Sequence, residues 1–277
     1  MQLHVIDTGF FKLDGGAMFG VVPQPIWKKL NPPDDRNLCT WAMRCLLIED
    51  GDRLILIDSG LGDKQSDKFF SYYEPHGDAT LENSLKNAGF STDDITDHLL
   101  THLHFDHCGG SIKRDGEKLV PAFKNAKYWC GKDHWEWAVN PNSREKASFL
   151  KENILPIQES GQLNFIEDEG EVLPGIHAMM VNGHTEKMII PHISYKGKTI
   201  VYMADLLPSV GHIPIPYIMA YDVRPLETLK EKTSFLNNAL ENDYVLFFEH
   251  DKDNECCSLK QTERGIRLDE TIKLLEI

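Results

Sequence analysis

The stretch at residues 101–110 reads THLHFDHCGG and concentrates side chains that can bind a metal ion. It follows the apolar residues Leu99 and Leu100, so it stands at the end of an expected buried strand. Neutral imidazole and carboxylate are the usual protein ligands of zinc and related divalent ions. Crowding four such groups together without a cation would be costly, so the sequence predicts a metal site here. The four residues are His102, His104, Asp106 and His107.

The spacing within this stretch predicts two groups of ligands. In an extended segment alternate residues face the same way, so His102 and His104 are expected to reach one metal ion. Asp106 and His107 lie beyond the strand, where glycines at 109 and 110 permit a turn and a close backbone approach. These two side chains are expected to face a second metal ion.

Four ligands do not complete two sites, and three further candidates stand at the ends of other apolar runs. His184 follows the run 178–181, Asp205 ends TIVYMAD, and His250 ends VLFFEH. A carboxylate that bridges two cations offsets their repulsion, and Asp205 is the best candidate for that role. The remaining histidines are interpreted as surface or core residues: His4, His76, His98, His134, His177, His192 and His212.

A weak internal repeat indicates how the chain is organised. Residues 48–60 and 193–206 each contain a turn followed by an apolar strand that ends at an aspartate, Asp58 or Asp205. Each is followed later by a strand that ends at histidines. The pattern predicts two similar halves in which strand ends supply the ligands. Strands are expected at 2–7, 43–49 and 54–57, and helices at 79–89, 132–139, 143–152 and 225–241.

Composition and charge narrow the functional class. The 277 residues carry a formal net charge of −14, which disfavours binding to nucleic-acid phosphates. The sequence shows no signal-peptide pattern and no apolar run of about 18 residues that could span a bilayer, so a cytoplasmic protein without a membrane segment is expected. The six cysteines have no disulfide-framework spacing and are expected to be reduced.

The stretch 101–110 resembles the HxHxDH signature of the metallo-β-lactamase superfamily. Further motifs of that family appear in the expected order, at 54–62 (LILIDSGLG), 183–185 (GHT), 203–206 (MADL) and 247–251 (FFEHD). The resemblance implies an α/β fold, a four-layer αβ/βα sandwich of two facing β-sheets with helices outside. It also implies that residues 1–277 form a single domain built of two similar halves.

The resemblance implies a dinuclear site. His102, His104 and His184 would bind the first metal ion, Asp106, His107 and His250 the second, and Asp205 both. Asp58 would hold a ligand histidine through its other ring nitrogen. The metals would be two divalent ions, zinc in the first place and iron or manganese as alternatives. A metal-bridging hydroxide would attack the substrate, with Asp106 and Asp205 as catalytic residues.

The spacing from His184 to Asp205 and the spacing from Asp205 to His250 resemble those of N-acyl-homoserine lactonases and methyl parathion hydrolase. The implied function is hydrolysis of small-molecule esters, lactones or phosphotriesters. Two alternatives stay open: an N-acyl-homoserine lactonase specifically, or a non-hydrolytic di-iron redox or sensor protein. Lactonases of this type often place a tyrosine three residues after the bridging aspartate, where this chain has Pro208, and Tyr221 is the nearest substitute in sequence.

The expected partner is a small-molecule substrate, and a homodimer is compatible with the sequence. Three large apolar residues in the segment 14–27 admit two interpretations. They could form an apolar wall over the site, or they could pack in the core or against a partner subunit. These residues are Met18, Phe19 and Trp27.

Overall fold

The computed structural model describes residues 1–277 as fifteen β-strands and eight α-helices. In chain order the strands are β1 (Gln2–Asp14), β2 (Leu38–Asp50), β3 (Arg53–Ile57), β4 (Asp97–Leu99), β5 (Ile112–Asp115), β6 (Lys118–Pro121), β7 (Lys127–Gly131), β8 (Leu163–Ile166), β9 (Gly170–Leu173), β10 (Ile176–Val181), β11 (Met188–Tyr195), β12 (Lys198–Tyr202), β13 (Val245–Phe247), β14 (Cys256–Thr262) and β15 (Gly265–Ile272). The helices are α1 (Gly15–Phe19), α2 (Gln24–Trp27), α3 (Asp67–Tyr73), α4 (Leu81–Asn87), α5 (Phe105–Cys108), α6 (Lys132–Val139), α7 (Lys151–Glu159) and α8 (Pro225–Glu241). None of these helices has the length and apolar character needed to cross a bilayer.

The chain divides into two compact units. The first comprises Met1–Gly9 and Met43–Asp168, and the second comprises Phe10–Ala42 and Glu169–Ile277. The division falls within β1 and within β2, so each of these long strands contributes residues to both units. The organisation of the chain as a single domain stays a prediction.

The first unit is built on a six-stranded sheet with the order β1-β2-β3-β4-β7-β8. Strands β2 and β3 form an antiparallel hairpin, whereas β3, β4, β7 and β8 run parallel to one another. The central strand β3 reads RLILI, and its last four residues are all buried, as expected for a parallel strand covered on both faces. Leu54 and Leu56 pack into a core that also contains Leu85 and Phe123.

Because β3 and β4 run parallel, the two segments that follow them lie at the same end of this sheet, and both carry candidate site residues. Asp58 follows the end of β3, and His102 comes three residues after the end of β4. The backbone N–H of Asp58 donates to the carbonyl of Leu99 at 3.0 Å, which continues the strand pairing beyond β3. The THLHFDH stretch therefore begins beside Asp58.

The second unit is built on a seven-stranded sheet with the order β15-β14-β13-β12-β11-β10-β9. Strands β12 and β13 pair in parallel, and α8 lies between them in the chain. Strand β11 is antiparallel to both β10 and β12, so β10, β12 and β13 point in the same direction. One edge of the sheet thus collects the segments that follow these three strands, and they carry His184, Asp205 and His250.

The predicted helices agree with the structure except at one, and the strands predicted at 2–7, 43–49 and 54–57 lie within the longer strands β1, β2 and β3. Helix α8 has the predicted bounds, and α4 and α6 lie within the predicted ranges. The helix predicted at 143–152 is wrong, because residues 143–148 form turns and α7 begins only at Lys151. The Asn142 side chain accepts hydrogen bonds from the backbone N–H groups of Arg144 and Glu145, which stabilises a capped turn.

Large apolar residues of the segment 14–27 belong to the interior of the second unit. Met18, Phe19 and Trp27 are at most 2% exposed. The ring of Phe19 stacks on Trp27 and on His212, with centroid distances of 5.6 and 4.5 Å. This burial favours core packing over a wall that faces a substrate. All six cysteines are likewise buried thiols.

Candidate metal centre

In the first unit the THLHFDH stretch combines an irregular segment with one helical turn. Residues 101–104 belong to no regular element, and α5 carries Asp106 and His107. The ring of His102 lies 4.6 Å from that of His104 and 3.9 Å from that of His107, centroid to centroid. All four predicted ligands of this stretch are at most 8% exposed. The expectation of a strand up to His104 is wrong, but the histidines do converge.

The glycines that follow this stretch are required by close packing. A Cβ atom at Gly109 would lie 2.0 Å from the carbonyl oxygen of Leu61, and one at Gly110 would lie 2.2 Å from that of Ser59. Real Cβ atoms do not approach backbone this closely. The end of α5 is therefore seated directly against the loop that follows β3.

Asp58 connects that loop to the histidines. Its Oδ1 accepts from the backbone N–H of Thr101 at 2.8 Å, and its Oδ2 accepts from the Thr101 hydroxyl at 2.6 Å. The same Oδ2 lies 3.1 Å from Nδ1 of His107, and both side chains are fully buried. Asp58 is thus in contact with a candidate ligand histidine, as the resemblance implies.

Each histidine of the stretch has one ring nitrogen directed at an acceptor within the first unit. Since the Thr101 hydroxyl donates to Asp58, its oxygen is left to accept from Nδ1 of His102, 3.1 Å away. Nε2 of His104 lies 3.7 Å from Oε1 of Glu145. A proton held on these nitrogens leaves the other ring nitrogen with a lone pair, which is the form that binds a metal ion.

In the second unit Asp205 lies between two histidines. Its Oδ2 is 3.0 Å from Nε2 of His184, and its Oδ1 is 3.2 Å from Nε2 of His250. All three residues are at most 7% exposed. The predicted ligands of this unit therefore converge, with one carboxylate oxygen facing each imidazole.

The far nitrogens of these two histidines are also held. Nδ1 of His184 lies 2.9 Å from Oδ1 of Asp222, and Nδ1 of His250 donates to the carbonyl of Ala42 at 2.8 Å. Burial lowers the pKa of His184, but the charges and hydrogen bonds of Asp205 and Asp222 outweigh it and raise that pKa to about 10. The surroundings of His184 therefore favour a positive charge.

The residues present fit divalent metal ions. The donors are imidazole nitrogens and carboxylate oxygens, a set typical of zinc and related divalent metals. In four of the five candidate histidines one ring nitrogen lies within hydrogen-bond distance of an internal acceptor, and in His104 it lies 3.7 Å from a carboxylate oxygen. Metal-binding histidines have such partners on the nitrogen that does not bind the metal. Divalent metal binding is thus supported on the chemistry of the donor set.

Sequence reasoning missed three residues that support these histidines: Asp222, Glu145 and His134. Asp222 and Glu145 lie in loops, outside any strand-end pattern, so no spacing signal marks them. The interpretation of His134 as a core residue agrees with the structure, where it is fully buried. Its Nε2 accepts from the backbone N–H of Leu103 at 2.8 Å, so it also fixes the backbone between two candidate ligands.

Comparison with known proteins places these observations in a family. The model of the Metallo-beta-lactamase superfamily matches residues 44–250. The N-acyl homoserine lactonase AiiA of Bacillus thuringiensis subsp. kurstaki is 29% identical over 196 residues, which cover 66% of this chain and 66% of the lactonase.

Solved structures share the fold over almost the whole chain. A probable metal-dependent hydrolase from Staphylococcus aureus superposes with a TM-score of 0.88 at 29% identity and covers 98% of both chains. The dizinc quorum-quenching lactonase AidC superposes with a TM-score of 0.78 at 22% identity, over 98% of this chain and 95% of AidC. The α/β sandwich class predicted from the sequence is confirmed by these neighbours. The family match and the Staphylococcus aureus structure support the prediction of a metal-dependent hydrolase. From the family match over 44–250 we conclude that this chain belongs to the metallo-β-lactamase superfamily.

Proposed function

We propose that this protein is a dinuclear metal-dependent hydrolase of small-molecule esters, lactones or phosphotriesters. The observation that carries the proposal is the orientation of the buried histidines. His102, His107, His184 and His250 each have one ring nitrogen within hydrogen-bond distance of an internal acceptor. In the second unit the other ring nitrogen of each histidine faces Asp205. This order is expected of imidazoles prepared to bind metal ions.

The proposed ligand sets follow the sequence prediction. His102, His104 and His184 would hold the first metal ion, and Asp106, His107 and His250 the second. Asp205 would hold both, a role supported by its two carboxylate oxygens facing different histidines at 3.0 and 3.2 Å. We propose zinc as the metal, in keeping with the nitrogen-rich donor set.

When bound, two such ions would supply an activated water and positive charge beside the electrophilic atom of the substrate. The chain supplies the acid–base group and the rigidity. Asp106 is 8% exposed, and its Oδ2 lies 3.8 Å from Nε2 of His107, so a proton accepted there would stay beside the ligands. Asp58 and Asp222 keep the imidazoles of His107 and His184 oriented through the reaction.

Lactonase activity toward N-acyl-homoserine lactones is the second candidate, favoured by the similarity to AiiA. Pro208 has neither a hydroxyl nor a backbone N–H to donate to a developing oxyanion. Loss of one such donor costs about 10²–10³ in turnover where it matters. Tyr221, which is 39% exposed and precedes Asp222, is the candidate substitute. We therefore expect aryl esters or phosphotriesters, which have better leaving groups, to be hydrolysed more efficiently than long-chain lactones.

The test is kcat/KM for both substrate classes on one zinc-loaded preparation, with Tyr221→Phe beside the wild type. Preference for activated esters or phosphotriesters supports the proposal. Preference for the lactone, retained in Tyr221→Phe, would instead establish the lactonase assignment without a tyrosine donor. An iron-loaded protein that absorbs visible light and hydrolyses neither class would contradict the hydrolase function.

A further inference from the structure

One segment of the first unit contacts three consecutive residues of the THLHFDH stretch. This supporting segment comprises α6 and the loop that follows it, residues 132–149. Within this segment, Nε2 of His134 accepts a hydrogen bond from the backbone N–H of Leu103. The carbonyl of Ser148 accepts one from the backbone N–H of Phe105, at 3.0 Å. Between these two anchors stands His104, whose ring lies 4.8 Å from that of Phe149. The backbone on both sides of a proposed ligand is therefore fixed by the same segment.

The supporting segment also presents a buried carboxylate. Glu145 is 3% exposed, and its Oε2 accepts from Nε1 of Trp137 at 2.7 Å and from Nδ2 of Asn142 at 2.6 Å. The Asn142 side chain in turn caps the turn that carries Glu145. A buried carboxylate with two such donors has a fixed orientation, and its second oxygen Oε1 is directed at His104.

The two ring nitrogens of His104 face different groups. Nδ1 lies 3.1 Å from Nε2 of His102, among the proposed ligands, while Nε2 lies 3.7 Å from Oε1 of Glu145. This separation exceeds a hydrogen bond, so the carboxylate acts on the ring through its charge. A negative charge beside Nε2 favours a proton on that nitrogen and leaves the lone pair on Nδ1.

We propose that Glu145 is a positioning residue for the metal site, which selects the Nε2–H form of His104 so that Nδ1 is available to the metal ion. The inference rests on the proposed function, because it takes His104 as a ligand. Trp137 and Asn142 complete the arrangement by orienting the carboxylate. A purely structural Glu145 would hold the turn 142–148 and leave metal affinity untouched, and the two roles can be separated by experiment.

The experiment compares Glu145→Gln with Glu136→Gln, which removes an exposed carboxylate from the same segment. Zinc affinity is measured by competition with a chromophoric chelator, and the stability of the metal-free protein by urea unfolding. We expect Glu145→Gln to weaken zinc binding by about 10- to 100-fold, as the loss of such partners does. Glu136→Gln should keep wild-type affinity, and Glu145→Asp should restore part of the loss.

Wild-type zinc affinity in Glu145→Gln would overturn the inference, even if the metal-free protein were destabilised. If Glu145→Gln does not fold, Trp137→Phe decides: severalfold weaker zinc binding supports the role of Glu145, and unchanged binding overturns it. The proposed function fails differently, since a wild type that binds zinc but hydrolyses none of the substrates leaves the affinity comparison valid. A wild type that binds no zinc would overturn both.

Discussion

At the residue scale, the candidate ligands depend on neighbours that the metal ions would not touch. Asp58 is the clearest case, because one carboxylate holds both the Thr101 backbone and Nδ1 of His107. Its backbone is left-handed, with φ of 56°, a conformation that asparagine also tolerates. Asp58 can therefore be changed to its amide with the backbone geometry retained.

We expect Asp58→Asn to fold but to lose about 10- to 100-fold in metal affinity or activity. In the variant an amide nitrogen replaces one carboxylate oxygen, and it cannot accept the hydrogen bonds that this oxygen accepts in the wild type. Chelator competition and kcat measure the effect, with the exposed Asp52→Asn in the β2–β3 turn as control. Wild-type affinity and wild-type turnover together would reduce Asp58 to a turn residue.

A second residue-scale prediction concerns His98, which lies outside the proposed site. Its Nδ1 donates to the carbonyl of Leu56 at 3.0 Å, and its Nε2 accepts from the Ser111 hydroxyl at 2.8 Å. Full burial lowers its pKa from 6.5 to about 4. Between pH 4 and pH 6.5 the unfolded chain binds a proton at His98 that the folded protein excludes. The contribution of neutral His98 to the free energy of unfolding is therefore present above pH 6.5 and is lost as the pH falls toward 4.

Metal-free wild-type protein should therefore lose about 2 kcal/mol of unfolding free energy from this group between pH 7 and pH 5. His98→Gln removes the titration, so its stability should depend less on pH by that amount. Urea unfolding at both pH values measures the difference, and the exposed His177→Gln serves as the matched control. Parallel pH dependence in wild type and His98→Gln would contradict the prediction.

At the element scale, strand ends were predictable and the loops that support them were not. An apolar run that ends at a ligand-type residue marks β3, β12 and β13, because a buried strand requires consecutive apolar side chains. The turn at 143–148 carries helix-type composition, but the side chain of Asn142 competes for its backbone. Asp222 and Glu145 act through contacts distant in sequence, and no local pattern encodes such contacts.

The seat of α5 on the loop after β3 gives an element-scale prediction. Gly110→Ala would place a Cβ against the backbone oxygen of Ser59, so one of the two segments must move. We expect a loss of about 1–3 kcal/mol or more in unfolding free energy, together with weaker metal binding. Gly116→Ala is the control, since its Cβ meets nothing within 4 Å and only its left-handed φ of 61° costs energy. Equal losses in the two variants would show that packing at Gly110 is unimportant.

At the scale of the whole molecule, the proposed ligands number more than one four-coordinate site can use. We therefore expect metal-free protein to take up two equivalents of zinc and to gain thermal stability as it does so. A ligand at about 100 times its dissociation constant adds about 2.7 kcal/mol to the native state. Elemental analysis and thermal unfolding measure the two effects. A single equivalent at saturation would remove the dinuclear proposal while leaving the family assignment intact.

The rate at which the six buried cysteines react with a thiol reagent would report how often the protein opens. Only a thiolate attacks an aromatic disulfide reagent, and burial raises the pKa of Cys108, for instance, to about 12. Labelling of the native protein must then wait for local opening or unfolding, so its rate reports how often the interior becomes accessible. Zinc that binds the folded form should slow labelling of all six thiols, whereas denatured protein should react at once. The colour of the released reagent would thus follow metal occupancy with no substrate present.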